Sequence, residues 1–510
     1  MSEKTQSSDD EVSRPVEVAS VSEKAQTAKD GINKTVKVGE VSSAESGGIY
    51  DAKQDKALVR KLDWHIMPVL VILYLLSFLD RTNIGNARLA NLEVDLKMSG
   101  LDYNIALAIL YPFYVAAEIP SNIMMKLTRP FLWLPSTMVA WGVCCTLMGL
   151  CTNFAGLLAA RAALGLAEGG LFPGINFFIT MWYKRHECGL RMAIFFSMAT
   201  AAGAFGGLLA RGISEMDGVG GRGGWAWIFI LEGIVTVAVA CWAYWAFQDY
   251  PDTAHFITEE ERKRVQQRLD EDRGSLADEW DRKYILHALT DWKVYMHCFN
   301  FLGTFASVYS FSLFLPTIVR GLGYSNEKAQ LMTVPPYVVA CFFCLTSGWL
   351  CDRLQTRGIV LIAFNVVGIV GLIMLISSTN NHVKYAATFF YATGVYPNTP
   401  QCMAWNGNNV GGSTKRSIAL AAQAMVGNLG GILASFVFLS KDGPRYIKGY
   451  GILIGILTMS MSICTFMTIY YRRENARRDR LYKPPSEYTA EEKAAEREKG
   501  DAATFFRFTV

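Results

Sequence analysis

A chain of 510 residues with 51% hydrophobic and 18% charged side chains, and a mean hydropathy of +0.20, carries too much apolar surface for a string of soluble domains. Its net charge of +4 comes from Lys and Arg spread over short segments, which excludes a basic nucleic-acid face. The 11 Cys have no framework spacing and fall mostly in apolar stretches, which excludes a disulfide scaffold. What remains is a polytopic membrane protein.

Residues 1–60 hold few apolar side chains and much Ser, Glu and Lys, so they bury too little surface to offset ordering entropy. A disordered cytosolic tail is expected there, with the sequon Asn33-Lys34-Thr35 unused. No cleavable signal peptide opens the chain, and the first membrane helix serves as the insertion signal. Twelve apolar cores follow, at 66–90, 104–125, 131–150, 154–178, 190–210, 225–247, 293–316, 327–350, 358–377, 384–404, 416–438 and 449–470. Each approaches the roughly 20 helical residues that cross a bilayer. They are numbered as spans 1 to 12. An even number puts both termini on one side. Lys126 and Arg129, Lys184, Arg185 and Arg191, Arg353 and Arg357, Lys415 and Arg416, and the run from Arg472 to Arg478 place that side in the cytosol, against Lys441, Arg445 and Lys448 opposite.

Span 1 holds Leu76-Ser77-Phe78-Leu79-Asp80-Arg81-Thr82-Asn83-Ile84-Gly85. Asp80 and Arg81 lie near its middle, where each charge costs on the order of 2.5–3.5 kcal/mol. A shorter span ending at Phe78 would put them in a loop, but turn-like residues come only at Lys97–Gly100. The pair is therefore expected to face a protein-lined, watery interior. Span 2 adds Tyr111, Tyr114 and Glu118, and span 6 adds Glu232, two acids equally open to function or helix packing. In span 4, Arg161 and Glu168 are seven apart and share one helix face. Neighbouring Asp80 and Arg81 diverge by roughly 100° and cannot satisfy each other. The expected arrangement sets Asp80 against Arg161 and leaves Arg81 and Glu168 toward a cavity; a purely structural ion network is the alternative.

Gly218-Val219-Gly220-Gly221-Arg222-Gly223 fits the GxGxxG pattern but sits in a loop with no preceding strand, so it is no dinucleotide site. Residues 248–292 form a charged linker. Within it, Thr258-Glu259-Glu260-Glu261 is a capping-box pattern that predicts a short surface helix. Cys341 and Cys344 have CxxC spacing but no charged or His neighbours, and read as packing. His65 precedes span 1 as an interface residue, and no metal site or P-loop is present, so ATP does not drive the protein. Residues 473–510 form a second cytosolic tail, charged and expected to be disordered from Tyr482 onward.

The two sets of six spans repeat. Gly203-x-x-Gly206-Gly207-x-Leu209-Ala210 recurs as Gly427-x-x-Gly430-Gly431-x-Leu433-Ala434, and Pro112-Phe113-x-Val115-Ala116 as Pro336-Tyr337-x-Val339-Ala340, both at a spacing of 224. Ser121-Asn122…Lys126 recurs as Ser347-Gly348…Asp352 at 226. Two parallel six-helix bundles are expected, residues 61–247 and 293–472, with small residues in spans 5 and 11 allowing close contact and the substrate site between the bundles.

Gly348-Trp349-Leu350-Cys351-Asp352-Arg353-Leu354-Gln355-Thr356-Arg357 resembles the GxxxDRxxxR loop motif of the major facilitator superfamily; its first-half copy is degenerate, with Asn122 for Gly and Lys126 for Asp. With LDRTNIGNA in span 1 and RAALGLAEGGLFPG in span 4, residues 60–475 look like the anion:cation symporters of that superfamily, nearest the fungal allantoate and nicotinate permease branch. The resemblance implies an all-helical fold of about twelve membrane helices in two pseudo-repeats. It implies that Arg81 clamps a substrate carboxylate, that Asp80 and Glu168 carry protons, and that Arg161 pairs with the span 1 acid. Gly348, Asp352, Arg353 and Arg357 would control conformation.

The reading that follows is a monomeric secondary transporter in the plasma membrane, or in a vacuolar or other internal one. It takes up a small carboxylate such as nicotinate, allantoate or pantothenate with protons, by alternating access, using no cofactor beyond the proton gradient and binding no nucleic acid. Tyr111, Tyr114, Asn398, Gln423 and Asn428 are further polar side chains in the spans that would shape specificity. A nutrient-sensing homologue and an exporter of an organic acid stand as alternatives; a membrane enzyme would need a nucleophile–base pair or metal cluster that the spans do not offer.

Overall fold

The computed structural model describes residues 52–273, 282–443, 445–484 and 487–510. Leu58–Val510 pack as one compact unit; of the other unit, Met1–Ala57, only residues 52–57 are described, as helix. The expected disorder and the sequon of the N-terminal tail lie outside the described residues.

Every regular element among the described residues is helical. Eleven helices are long and apolar enough to cross a bilayer: Lys53–Leu89, Asp102–Met125, Pro130–Met148, Phe154–Trp182, Glu187–Ser214, Gly224–Ala246, Trp292–Arg320, Asn326–Leu354, Gly358–Ser377, Thr414–Val437 and Ile447–Leu481. These are spans 1 to 9, 11 and 12. Span 10 falls short of that length because it is broken into Asn381–Val395 and Asn398–Asn409 at Tyr396-Pro397, where the proline has no amide to give the helical ladder. Span 4 is also interrupted, between Phe154–Glu168 and Leu171–Trp182, at Gly169-Gly170. Pro173 and Pro397, and Gly170 and Gly394, stand 224 residues apart, which extends the internal repeat to the two broken spans. Large apolar side chains such as Ile123, Leu166, Phe205, Phe342 and Phe466 are exposed, a surface suited to lipid rather than water.

Span 3 packs on spans 4 and 6, span 7 on spans 11 and 12, and span 9 on spans 10 and 12. Spans from the first six meet spans from the last six where span 5 lies along span 8 and span 2 along span 11. The glycines of spans 5 and 11 make these approaches possible. A Cβ on Gly207 would stand 2.5 Å from Thr333 Oγ1, and one on Gly431 would stand 2.0 Å from the Tyr111 ring. Gly348 of the loop motif likewise lets span 8 reach Ala193 of span 5, at 3.1 Å from its missing Cβ.

The linker carries the predicted helix, Glu259–Arg273. Its capping box is formed: Thr258 N donates to Glu261 Oε2 at 2.9 Å, and Glu261 N donates to Thr258 Oγ1 at 3.3 Å. The same Glu261 takes Lys61 Nζ at 2.7 Å, and Arg268 reaches Glu187 at 2.5 Å, so the linker helix is tied to the ends of spans 1 and 5. The side of the molecule bearing the linker is called the linker face below.

The end of the chain departs from expectation. Span 12 continues helical to Leu481, and the tail expected to be disordered folds back onto the linker face. Arg478 Nη1 donates to the carbonyls of Asp501, Ala503 and Phe506 at 3.0, 3.3 and 2.9 Å. Trp405 Nε1 donates to Thr509 O at 2.9 Å, Arg357 N donates to Val510 O at 2.6 Å, and Phe508 stacks on Tyr471 at 4.8 Å. Ala503, Phe505 and Phe508 are buried. Phe508 anchors the tail in the main core against Tyr471, while Ala503 and Phe505 pack with Tyr488 and Phe506 in a small apolar cluster of the tail's own, so burial outweighs the polar composition.

Asp501, also buried, sits between Lys293 and Lys415, the latter at 2.6 Å. Burial pushes its carboxyl up, but the two ammonium groups hold it below the ordinary carboxylate range. A carboxyl depressed in the folded state contributes stability above its unfolded value and loses it as pH falls through the lowered one. Docking of the tail should therefore hold across neutral pH and fail only in strong acid. Replacing Asp501 with Asn should weaken docking by roughly 3 kcal/mol, since it leaves two lysines under-compensated. Protease sensitivity of the tail in membrane-embedded protein measures this; equal resistance in the variant and the native protein would show that the ion pairs do not hold the tail.

Candidate functional site

The charged middle of span 1 is buried, with Asp80 and Arg81 exposed by 1% and 6%. Being adjacent on the helix, they point to different neighbours. Arg81 turns to span 4, where Nη2 donates to Glu168 Oε1 at 2.7 Å and Nε donates to Oε2 at 3.3 Å. Its remaining Nη1 donates to the Tyr309 hydroxyl of span 7 at 2.7 Å. The guanidinium lies 4.7 Å from the centre of the Tyr114 ring. Tyr309 in turn donates to Asn428 Oδ1 of span 11 at 3.0 Å, and Ser77 donates to Glu168. One arginine thus joins spans 1 and 4 to spans 7 and 11.

Span 4 reaches this position through its glycines. A Cβ on Gly169 would stand 2.3 Å from the Tyr114 carbonyl oxygen, so only glycine lets the helix carrying Glu168 lie against span 2 at this depth.

Asp80 turns the other way. Its carboxylate accepts from Trp141 Nε1 at 3.1 Å in span 3 and from Thr236 Oγ1 at 2.8 Å in span 6, with the Cys145 thiol at 3.5 Å. The expected Asp80–Arg161 pair is not formed. Arg161 donates from Nε to the Ala106 carbonyl of span 2 at 3.2 Å, and its Nη1 has no partner. The reason is geometric: the seven residues from Arg161 to Glu168 span about 10 Å of helix, so once Glu168 is level with Arg81, Arg161 lies two turns away from the Asp80 level. Glu232 meets Asn83 of span 1, which ties span 6 to the same helix.

Of the polar side chains proposed to shape specificity, Tyr114 and Asn428 converge on Arg81, and Tyr111 packs 5.0 Å from Tyr309. Asn398 and Gln423 do not join them. Asn398 donates to Asn365 Oδ1 at 3.0 Å, and Gln423 is held by Asn406 at 2.8 Å, both within the last six spans. Tyr309 was not singled out from the sequence, although it stands in the polar run Ser307-Val308-Tyr309-Ser310-Phe311-Ser312, unusual for a membrane helix.

The loop motif forms a separate cluster at the linker face. Arg357 Nη2 donates to Asp352 Oδ1 at 3.0 Å and Nη1 to Gln401 Oε1 at 2.5 Å, and the guanidinium stands 3.0 Å from where a Cβ on Gly189 would be. Arg353 instead lies over the Trp349 ring, 5.1 Å from its centre. Gly218, Gly220 and Gly221 all have positive φ, so the GxGxxG stretch is a tight loop shaped by glycine rather than a phosphate cradle.

A membrane-embedded network of buried charges, with an arginine joining spans 1, 4 and 7, is what a solute transporter requires. The family model for the Major Facilitator Superfamily matches residues 70–435, and the chain belongs to that superfamily. It is 34% identical over 479 residues to the MFS-type transporter cnsO of Penicillium expansum, covering 91% of this chain and 92% of that one. An uncharacterised transporter of Schizosaccharomyces pombe is 34% identical over 440 residues, covering 86% and 88%. The major facilitator-type transporter hxnP of Emericella nidulans is 30% identical over 449 residues, covering 86% and 90%. Among solved structures, an inward-facing, occupied bacterial homologue of the human lysosomal transporter Spinster superposes with a TM-score of 0.58 at 15% identity, over 80% of this chain and 96% of that chain. The protein is a multi-pass membrane transporter, not an enzyme.

Proposed function

We propose that the protein imports a small organic carboxylate together with protons, across the plasma membrane, with both tails in the cytosol. The observation that carries this reading is the Arg81–Glu168 pair, whose free guanidinium edge already bonds Tyr309 of span 7. A substrate carboxylate is the natural competitor for Arg81, because the guanidinium fork matches a carboxylate in bidentate geometry. Once displaced, Glu168 is left buried without its counter-charge, a state whose cost is relieved when it takes a proton. Anion binding and proton binding then become one event, and neither happens favourably alone. Because Arg81 also holds Tyr309, and through it Asn428, occupancy of the arginine is felt by spans on both sides of the site.

The experiment is uptake of radiolabelled nicotinate, allantoate and pantothenate by cells expressing the protein, at acidic and at slightly alkaline external pH, with and without a protonophore. Accumulation of one acid that is higher at acidic pH and collapses with the protonophore supports the reading. Absence of accumulation, with the protein present at the cell surface, would overturn it in favour of export or sensing.

A further inference from the structure

Tyr111, Tyr114 and Glu118 are spaced three and four apart, so they form one stripe on span 2. Tyr111 seals against Gly431 of span 11, and Tyr114 lies beneath Arg81. Glu118 continues the stripe by one turn toward the linker face and is exposed by only 1%. Neither of its carboxyl oxygens has a hydrogen-bond partner. The group facing it across the contact between spans 2 and 11 is the Asn428 side chain, whose Nδ2 is the donor nearest its carboxyl but completes no well-formed hydrogen bond. Arg81 of span 1 is the charged group that acts on it, and the Tyr309 hydroxyl of span 7 and Tyr114 of its own helix are its titratable neighbours. Arg81 is committed to Glu168 and Tyr309.

A bare carboxylate in this position would have lost its water for, at most, one poorly formed amide contact and a guanidinium already paired to Glu168, a cost of several kcal/mol that binding a proton removes. A glutamate retained only for packing would be expected to hydrogen-bond, as Glu168 and Glu232 do. We infer that Glu118 of span 2 is a second proton carrier of the transport cycle, loaded while spans 2 and 11 are closed on each other and discharged when they part. On loading, a proton from water on one side forms the O–H of the neutral acid. On discharge, that proton passes to water on the other side, and the carboxylate left behind is hydrated and faces Arg81. This rests on the proton-coupled reading above and adds to it: with Glu168 and Glu118 each carrying a proton, a monovalent carboxylate enters with a net positive charge.

The test has two arms, both on the full-length protein in lipid. In infrared difference spectra between neutral and strongly alkaline pH, the native protein should show the carbonyl stretch of a protonated carboxyl that is lost on deprotonation. Glu118→Gln should remove that band, and Glu118→Asp should shift it rather than abolish it. A band unchanged in both variants overturns the inference. The second arm reconstitutes the protein in vesicles and follows radiolabelled nicotinate, allantoate and pantothenate under an imposed membrane potential, interior negative. The potential should raise steady-state accumulation by the native protein about tenfold for each ~60 mV, and this effect should disappear in Glu118→Gln. Stimulation that persists in the variant overturns the role in coupling. If the native protein accumulates none of the three acids, the importer reading fails, and the infrared arm still decides whether Glu118 holds a proton.

Discussion

Replacing Arg81 with Ala should reduce carboxylate uptake by at least about 100-fold. The substitution removes two or three charge-assisted hydrogen bonds to a bound carboxylate, each contributing roughly 1.5–3 kcal/mol, and about 3 kcal/mol corresponds to a hundredfold change. The link to Tyr309 of span 7 is lost with it, so a substrate that still entered would no longer be sensed by the last six spans. The variant should reach the membrane in normal amounts, because the abandoned Glu168 can be neutralised by a proton and keeps its Ser77 partner. Arg81→Lys should recover little, since an ammonium cannot present two parallel donors to a carboxylate while also bonding Tyr309. Uptake assays beside surface quantification decide the matter. Native rates in the alanine variant would remove Arg81 from the substrate site.

Replacing Glu168 with Gln should remove one of the two protons proposed to drive uptake, and with it much of the response to external pH. On the proposed mechanism, entry is coupled to Glu168 leaving Arg81 and taking a proton, so an inward proton gradient should drive uptake. Each coupled proton changes accumulation about tenfold per unit of imposed pH gradient, the equivalent of 1.36 kcal/mol, so Glu168 and Glu118 together should give about a hundredfold change. Glutamine keeps the shape and one acceptor but binds no proton, so the same gradient should change accumulation only about tenfold, through the proton left on Glu118. An undiminished response to pH in this variant would assign the coupling elsewhere, with Asp80 the next acid in the network. Asp80 is the weaker candidate because three side chains from spans 3 and 6 already satisfy its carboxylate.

The network also explains why glycine, rather than charge, sets the architecture of the site. Gly169 brings span 4 against span 2, and Gly431 brings span 11 against Tyr111. With either helix displaced outward by a side chain, Arg81 would lose contact with Glu168 or Asn428 would leave Tyr309. The sequence motifs around these glycines are therefore positioning motifs for the arginine, even though none of the glycines touches it.

Much of this was legible in one dimension. A run of about 20 apolar residues declares a membrane helix whatever surrounds it, and so the eleven helices long enough to cross a bilayer were recognisable, while the break in span 10 was not. The capping box at Thr258 closes within four residues, and the spacing of 224 between the glycine motifs needs no coordinates. That Asp80, Arg81, Arg161 and Glu168 would be buried among helices rather than face lipid followed from the cost of charge in a bilayer, and all four are buried.

Which of those charges pair was decided only by the tertiary structure. Pairing depends on how each helix is rotated about its axis and how far it slides along its neighbour, and an error of one turn exchanges one partner for another. Glycine contacts with span 2 fix that slide for span 4, and they bring Glu168 rather than Arg161 to the level of Arg81. Tyr309 belongs to the site because span 7 packs on span 11 beside span 1, a neighbourhood no local pattern records. The docked C-terminal tail is of the same kind: Phe508 and Thr509 are held by Tyr471 and Trp405 of spans 12 and 10, so the tail's own charged surroundings pointed the wrong way.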